Sequence, residues 1–145
     1  MKISTKGRYG LRAMIDLAVH ASGEEPITLK SIAERQNLSE RYLEQIFSAL
    51  KKNALVNSIK GPQGGYVISK GMHQISVGNI LRALEGNLHI VTSEDMVNDK
   101  IEECIKNNVW NRINESIDKI VDCITLEDLV FEYNKSISEG YMYYI

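Results

Sequence analysis

Residues 37–52, Asn-Leu-Ser-Glu-Arg-Tyr-Leu-Glu-Gln-Ile-Phe-Ser-Ala-Leu-Lys-Lys, read as a turn followed by a two-faced helix. Ser39 suits the N-cap, where its hydroxyl accepts from a backbone N–H of the first turn. Leu43, Ile46, Phe47 and Leu50 recur at helical spacing and form one apolar stripe. At about 100° per residue, Arg41, Glu44, Gln45, Ser48 and Lys52 fall on the opposite face. Such a helix must bury one side against other elements and leave a guanidinium, an amide and a hydroxyl outside. Arg and Gln are side chains that pair with base edges in a major groove. Any surface helix also has a polar face, so the neighbouring segments decide between these readings.

Before it, Thr28 caps a helix from Leu29 to Gln36 whose buried side is Leu29, Ile32 and Ala33. Asn37 stands where a left-handed residue ends a helix, and Leu38 occupies the turn. A short helix, a tight turn and a longer amphipathic helix make a helix-turn-helix. Further upstream, Ser4 or Thr5 starts a helix running to Ala21, with Leu11, Met14, Ile15 and Ala18 on one face. Its opening carries Lys2, Lys6 and Arg8 around Tyr9. Lys2, Ser4 and Arg8 are candidate phosphate contacts, because a helix N-terminus with cations nearby favours anions; a charged terminus kept in solvent is the alternative. After the two-faced helix, Ala54–Ile59 alternates like a strand, Lys60-Gly61-Pro62-Gln63-Gly64-Gly65 is a turn, and Tyr66–Ser69 returns. This hairpin is a wing. Gly61, Gly64 and Gly65 let backbone approach a partner closely, and Lys60 can reach a minor groove of negative potential. The loop lacks the spacing and the Lys-Ser/Thr ending of a nucleotide-binding P-loop. Charge agrees: residues 1–70 hold eleven Lys and Arg against six acids, whereas the remainder holds six against thirteen.

In the acidic half, Ser76 caps a short helix with Val77, Ile80, Leu81 and Leu84 inward, and Gly86 ends it. Asn87–Asp99 is polar, has no period and reads as a loop. A long helix follows from about Lys100 to Asp122. It carries an apolar stripe of Ile101, Ile105, Val109, Ile113, Ile117 and Ile120, flanked by Cys104 and Trp110. Little else in the chain could cover that stripe, so dimerisation is the economical reading, with buried area worth roughly 25 cal/mol per Å². Folding back onto the winged domain is the alternative. Thr125 opens a last short helix with Leu126, Leu129, Val130 and Tyr133 inward, and an aromatic tail closes the chain. The expected fold is mainly α with a small β-hairpin. A winged helix-turn-helix spans residues 1–74, a helical dimerisation region 75–134 and a tail 135–145.

The sequence has no apolar run of roughly 20 residues that could span a bilayer and no apolar signal core near its start, so a cytoplasmic location is expected. Cys104 and Cys123 suggest neither a disulfide framework nor a zinc site, and read as partly buried small apolar side chains. His20, His73 and His89 are scattered without a nucleophile–base pair, so neither enzyme activity nor a cofactor or metal is expected.

The opening Met-Lys-Ile-Ser-Thr-Lys-Gly-Arg-Tyr-Gly-Leu-Arg-Ala, the segment Leu38–Phe47 and the wing Lys-Gly-Pro-Gln-Gly-Gly-Tyr together resemble the Rrf2 family of bacterial winged-helix transcription regulators. The resemblance runs from end to end. It implies a homodimer on a near-palindromic double-stranded DNA site. Ser39, Arg41, Tyr42, Glu44 and Gln45 match the family's reading helix, and Lys60 its basic wing residue. Ile124–Leu129 and the Tyr-Met-Tyr-Tyr-Ile ending are most similar to a branch that represses cysteine and sulfur metabolism. In that branch the effector is a protein, cysteine synthase. A terminal carboxylate beside an apolar side chain is a recognisable grip, so Tyr144 and Ile145 are the candidate contacts. Iron–sulfur relatives hold a cluster on three cysteines before the long helix, and residues 87–99 contain none. Two other readings remain: a thiol or iron–sulfur redox sensor using Cys104 and Cys123, and a protein-binding module without DNA contact.

Overall fold

The computed structural model describes residues 2–142. Seven α-helices and one hairpin follow in order: α1 Thr5–His20, α2 Leu29–Gln36, α3 Glu40–Lys52, β1 Val56–Ile59, β2 Gly65–Ile68, α4 Val77–Glu85, α5 Lys100–Ile105, α6 Asn111–Cys123 and α7 Leu126–Met142. The starts are chemical. Ser4, Thr28, Ser39 and Ser76 each accept a hydrogen bond from a first-turn N–H, and Ser76 closes a reciprocal capping box with Asn79. Asn37 ends α2 in the left-handed region at φ 54°, ψ 50°, as its position predicts. Ala54 also lies there, at φ 59°, and reverses the chain from α3 into β1.

The core is the meeting of α1, α2, α3 and α4 with the base of the wing. Met14, Leu17, Ile32, Leu43, Ile46, Phe47, Leu50, Val56, Ile80 and Leu126 are sealed in it. The hairpin is antiparallel, with Val56 opposite Ile68 and Ile59 opposite Gly65. Ile27 adds a single bridge to Tyr66, which ties the loop before α2 to the wing. Gly10 lets α4 close on α1, because a Cβ there would meet the Leu84 side chain. One polar contact is buried among these helices. Asp16, only 4% exposed, accepts from Arg35 Nε at 3.1 Å, Arg35 Nη2 at 2.7 Å and Gln36 Nε2 at 2.7 Å. The carboxylate raises the already high pKa of the guanidinium.

The second half departs from the sequence expectations in four ways. The long helix has a π turn at Lys106–Trp110, between α5 and α6. Apolar residues spaced by four advance about 40° per step on an α-helix, and one wider turn takes back part of that drift. Ile101, Val109, Ile113 and Ile120 stay exposed, but Ile117 turns inward with Val121 and Ile124 against Val77, Leu81 and Leu88. Residues 87–99 form the expected loop, with one 3-10 turn at Ser93–Asp95, but the loop is pinned. Leu88 is buried, and Asn114 accepts from Ile90 N–H at 2.9 Å and donates to Val91 O at 3.3 Å. The last helix is long, continuing through the expected tail to Met142, and Tyr133 is 44% exposed rather than inward.

Candidate nucleic-acid interface

The candidate interface is built on α3. Its apolar residues Leu43, Ile46, Phe47 and Leu50 have no exposed surface, which fixes the rotation of the helix. Arg41, Glu44, Gln45, Ser48 and Lys52 are all exposed on the other side. Ser39 is spent on the cap, its Oγ 3.1 Å from Tyr42 N. Tyr42 is only half exposed. Its ring meets Tyr9 of α1 edge-on, with centroids 6.4 Å apart and planes at 83°. Tyr42 therefore joins α3 to α1 more than it projects from the surface.

Lys2 and Arg8 are exposed at the start of α1, and the Arg8 guanidinium lies 5.9 Å from the Tyr9 ring centroid. Ser4 departs from its expected role. Its hydroxyl caps Gly7 N–H and also meets the Glu85 carboxylate of α4, while its own N–H donates to Glu85 at 3.1 Å. The N-terminal donors expected to face a phosphate are thus partly taken by a carboxylate of the same chain. Gly7 makes this possible, since a Cβ there would run into Glu85.

The wing joins α3 from below. Phe47 and Tyr66 rings lie 4.9 Å apart, and Lys51 Nζ donates to Ser58 Oγ at 2.7 Å. Lys60 and Gly61 are exposed at the tip. Gly64 and Gly65 have an internal reason to be glycine: a Cβ on Gly64 would meet Ile59 O, and one on Gly65 the Ile27 backbone. Sequence reasoning missed Tyr9 and Lys51 as links between the parts. Lys51 stands beside the noted Lys52, but only the observed wing shows what it reaches.

Away from α3, α4 is clamped to α6. Arg82 donates to Asp118 at 2.9 Å and to Asp122 at 2.6 Å, and His89 Nε2 lies 2.9 Å from Asp118. The hydrogen bonds from His89 first and Arg82 second hold the Asp118 carboxyl below its ordinary range. The bonds to Asp122 and then Asp118 raise the Arg82 pKa. Cys104 and Cys123 are both exposed, contrary to the expected partial burial, because they lie on outward faces of α5 and α6.

A family model described as Rrf2, iron-dependent transcriptional regulator, matches residues 3–132. The chain belongs to the Rrf2 family. It is 48% identical over 145 residues, all of both sequences, to the HTH-type transcriptional regulator CymR of Bacillus subtilis (strain 168). The solved structure of CymR (YrzC), described as the global cysteine regulator of B. subtilis, has a TM-score of 0.78 at 46% identity, over 91% of this chain and 98% of that one. The oxidized form of Staphylococcus aureus CymR has a TM-score of 0.70 at 40% identity, over 90% and 96%. The chain is accordingly a CymR-like Rrf2 transcription regulator with the winged-helix fold, and not an enzyme. The iron in the family description does not fit the donors of this Rrf2 chain. A cluster takes about four ligands, usually thiolates; this sequence has two cysteines. Among the described residues no group of three His, Cys, Asp or Glu could hold a metal ion. Nor is any described helix long and apolar enough to cross a membrane.

Proposed function

We propose that two copies of this chain form a homodimeric repressor of cysteine and sulfur metabolism genes, bound to a near-palindromic operator. α3 enters the major groove, where Arg41 and Gln45 read base edges, with Glu44, Ser48 and Lys52 beside them. Lys2 and Arg8 hold phosphates, and Lys60 with Gly61 follows the minor groove. Ile101, Val109, Ile113 and Ile120 meet their copies in the second subunit. Cysteine synthase acts as corepressor through Tyr144 and Ile145, which lie outside the described residues. The end-to-end likeness to CymR carries this reading, and the outward polar face of α3 agrees with it. Selection of a preferred duplex from a random pool tests it. A recovered inverted repeat supports the reading, and indifferent binding contradicts it. Capture of cysteine synthase by the full chain, but not by one lacking Tyr144 and Ile145, tests the corepressor.

One observation favours a second reading, a thiol redox regulator. Cys104 and Cys123 are exposed, and a solved relative is an oxidized form. Loss of DNA affinity on peroxide treatment, abolished in the Cys104→Ser, Cys123→Ser double variant, supports it. A peroxide response that persists in that variant excludes these thiols.

A further inference from the structure

The DNA-facing parts come from different helices, so their mutual angle is a functional quantity. Arg8 and Lys2 sit at the start of α1; the α3 face follows α2 and a short turn. Apolar packing holds α2 through Ile32, Ala33 and the half-buried Leu29, which lie before its last two residues. Those two, Arg35 and Gln36, instead hang on one side chain of α1, the Asp16 carboxylate. Arg35 spans both carboxylate oxygens from Nε at 3.1 Å and adds Nη2 at 2.7 Å, while Gln36 donates at 2.7 Å. Gln36 also accepts from Arg12 Nη2 at 3.0 Å, a second tie to α1. The next residue, Asn37, is the left-handed turn, and Ser39 then caps α3. The pair thus ties α1 to the residues immediately before the turn into α3, and the Tyr9–Tyr42 contact ties α1 to the first turn of α3 itself. A planar fork against a carboxylate fixes orientation in a way that apolar contact does not.

We infer that Asp16 is a positioning residue for DNA recognition: through Arg35 and Gln36 it sets the angle between α1 and α3 without touching DNA. The inference rests on the DNA-binding reading above. A small rotation at the turn moves Arg41 and Gln45 off the base edges while leaving their charges near the duplex. Specific affinity therefore depends on the pair more than general affinity does.

The test compares Asp16→Asn and Arg35→Lys with wild type on the selected duplex and on a random duplex, well below each variant's melting temperature and corrected for folded fraction by circular dichroism. Arg35→Lys keeps the positive charge and loses only the fork, so it remains informative if Asp16→Asn fails to fold. The expected result is a loss of at least tenfold in affinity for the selected duplex, with less than threefold on the random one. A lowered melting temperature with unchanged affinity of the folded protein overturns the inference and leaves the pair purely structural. Equal losses on both duplexes overturn it also, because they mark a loss of phosphate contact. Wild type that shows no preference between the duplexes defeats the DNA-binding reading itself, and the inference with it.

Discussion

Arg41 and Asp118 illustrate opposite uses of a charge. Arg41 is exposed on α3, and in the proposed complex its guanidinium faces a base edge. Its replacement by alanine is expected to cost about 1–3 kcal/mol at a preferred duplex, with little change on random DNA, as read by fluorescence anisotropy. Lys60→Ala is expected to weaken all duplexes alike and to lower the slope of log K against log salt by about one. Asp118 is occupied internally, by His89 and Arg82. Its folded-state pKa lies below the ordinary 3.8, so its contribution to stability is present above that value and is lost as pH falls through the folded pKa. The melting temperature of wild type is therefore expected to exceed that of Asp118→Asn at pH 5, the gap closing as pH drops below about 4. The carboxylate is over a third exposed, so the gap corresponds to no more than about 1 kcal/mol.

At the scale of elements, what the sequence made legible was local chemistry. Ser39, Thr28 and Ser76 cap the helices they precede, and Asn37 turns left-handed, because each effect needs only the residue and its next three neighbours. Ser39→Ala is expected to lower unfolding stability by about 1 kcal/mol in urea titration. The unread features are those settled at a distance. Residues 87–99 show no period because their anchor is Asn114, on a helix far along the chain. The π turn at 106–110 has no breaker to announce it; only the steady four-residue spacing of Ile101, Ile105, Val109, Ile113 and Ile117 betrays a pattern slower than an α-helix. The last helix is an exception, since its length was open to local reading: residues 135–139 contain neither glycine nor proline, and the helix carries on through Gly140 to Met142. In the candidate interface, the face of α3 was legible from periodicity. The diversion of Ser4 to Glu85 was not, since nothing near Ser4 in sequence names its partner.

As a whole molecule the chain is basic at the winged end and acidic at the other, and its acidic end leaves large apolar side chains in water. Ile101 is 73% and Ile120 61% exposed on α5 and α6, with Phe131 65% exposed on α7. A second copy packed on α5 and α6 would cover the first two. Ile113→Glu with Ile120→Glu is expected to halve the mass found by light scattering while leaving the far-ultraviolet circular dichroism unchanged. Without a second reading helix, such a monomer is also expected to lose its grip on a two-fold site. The account stands most directly on how the protein lies along DNA. Hydroxyl-radical footprinting on the selected duplex should reveal two protected patches related by a two-fold axis, their centres one helical turn of about 10 bp, or a multiple of it, apart. Protection of a single patch, or an even protection without symmetry, would contradict it.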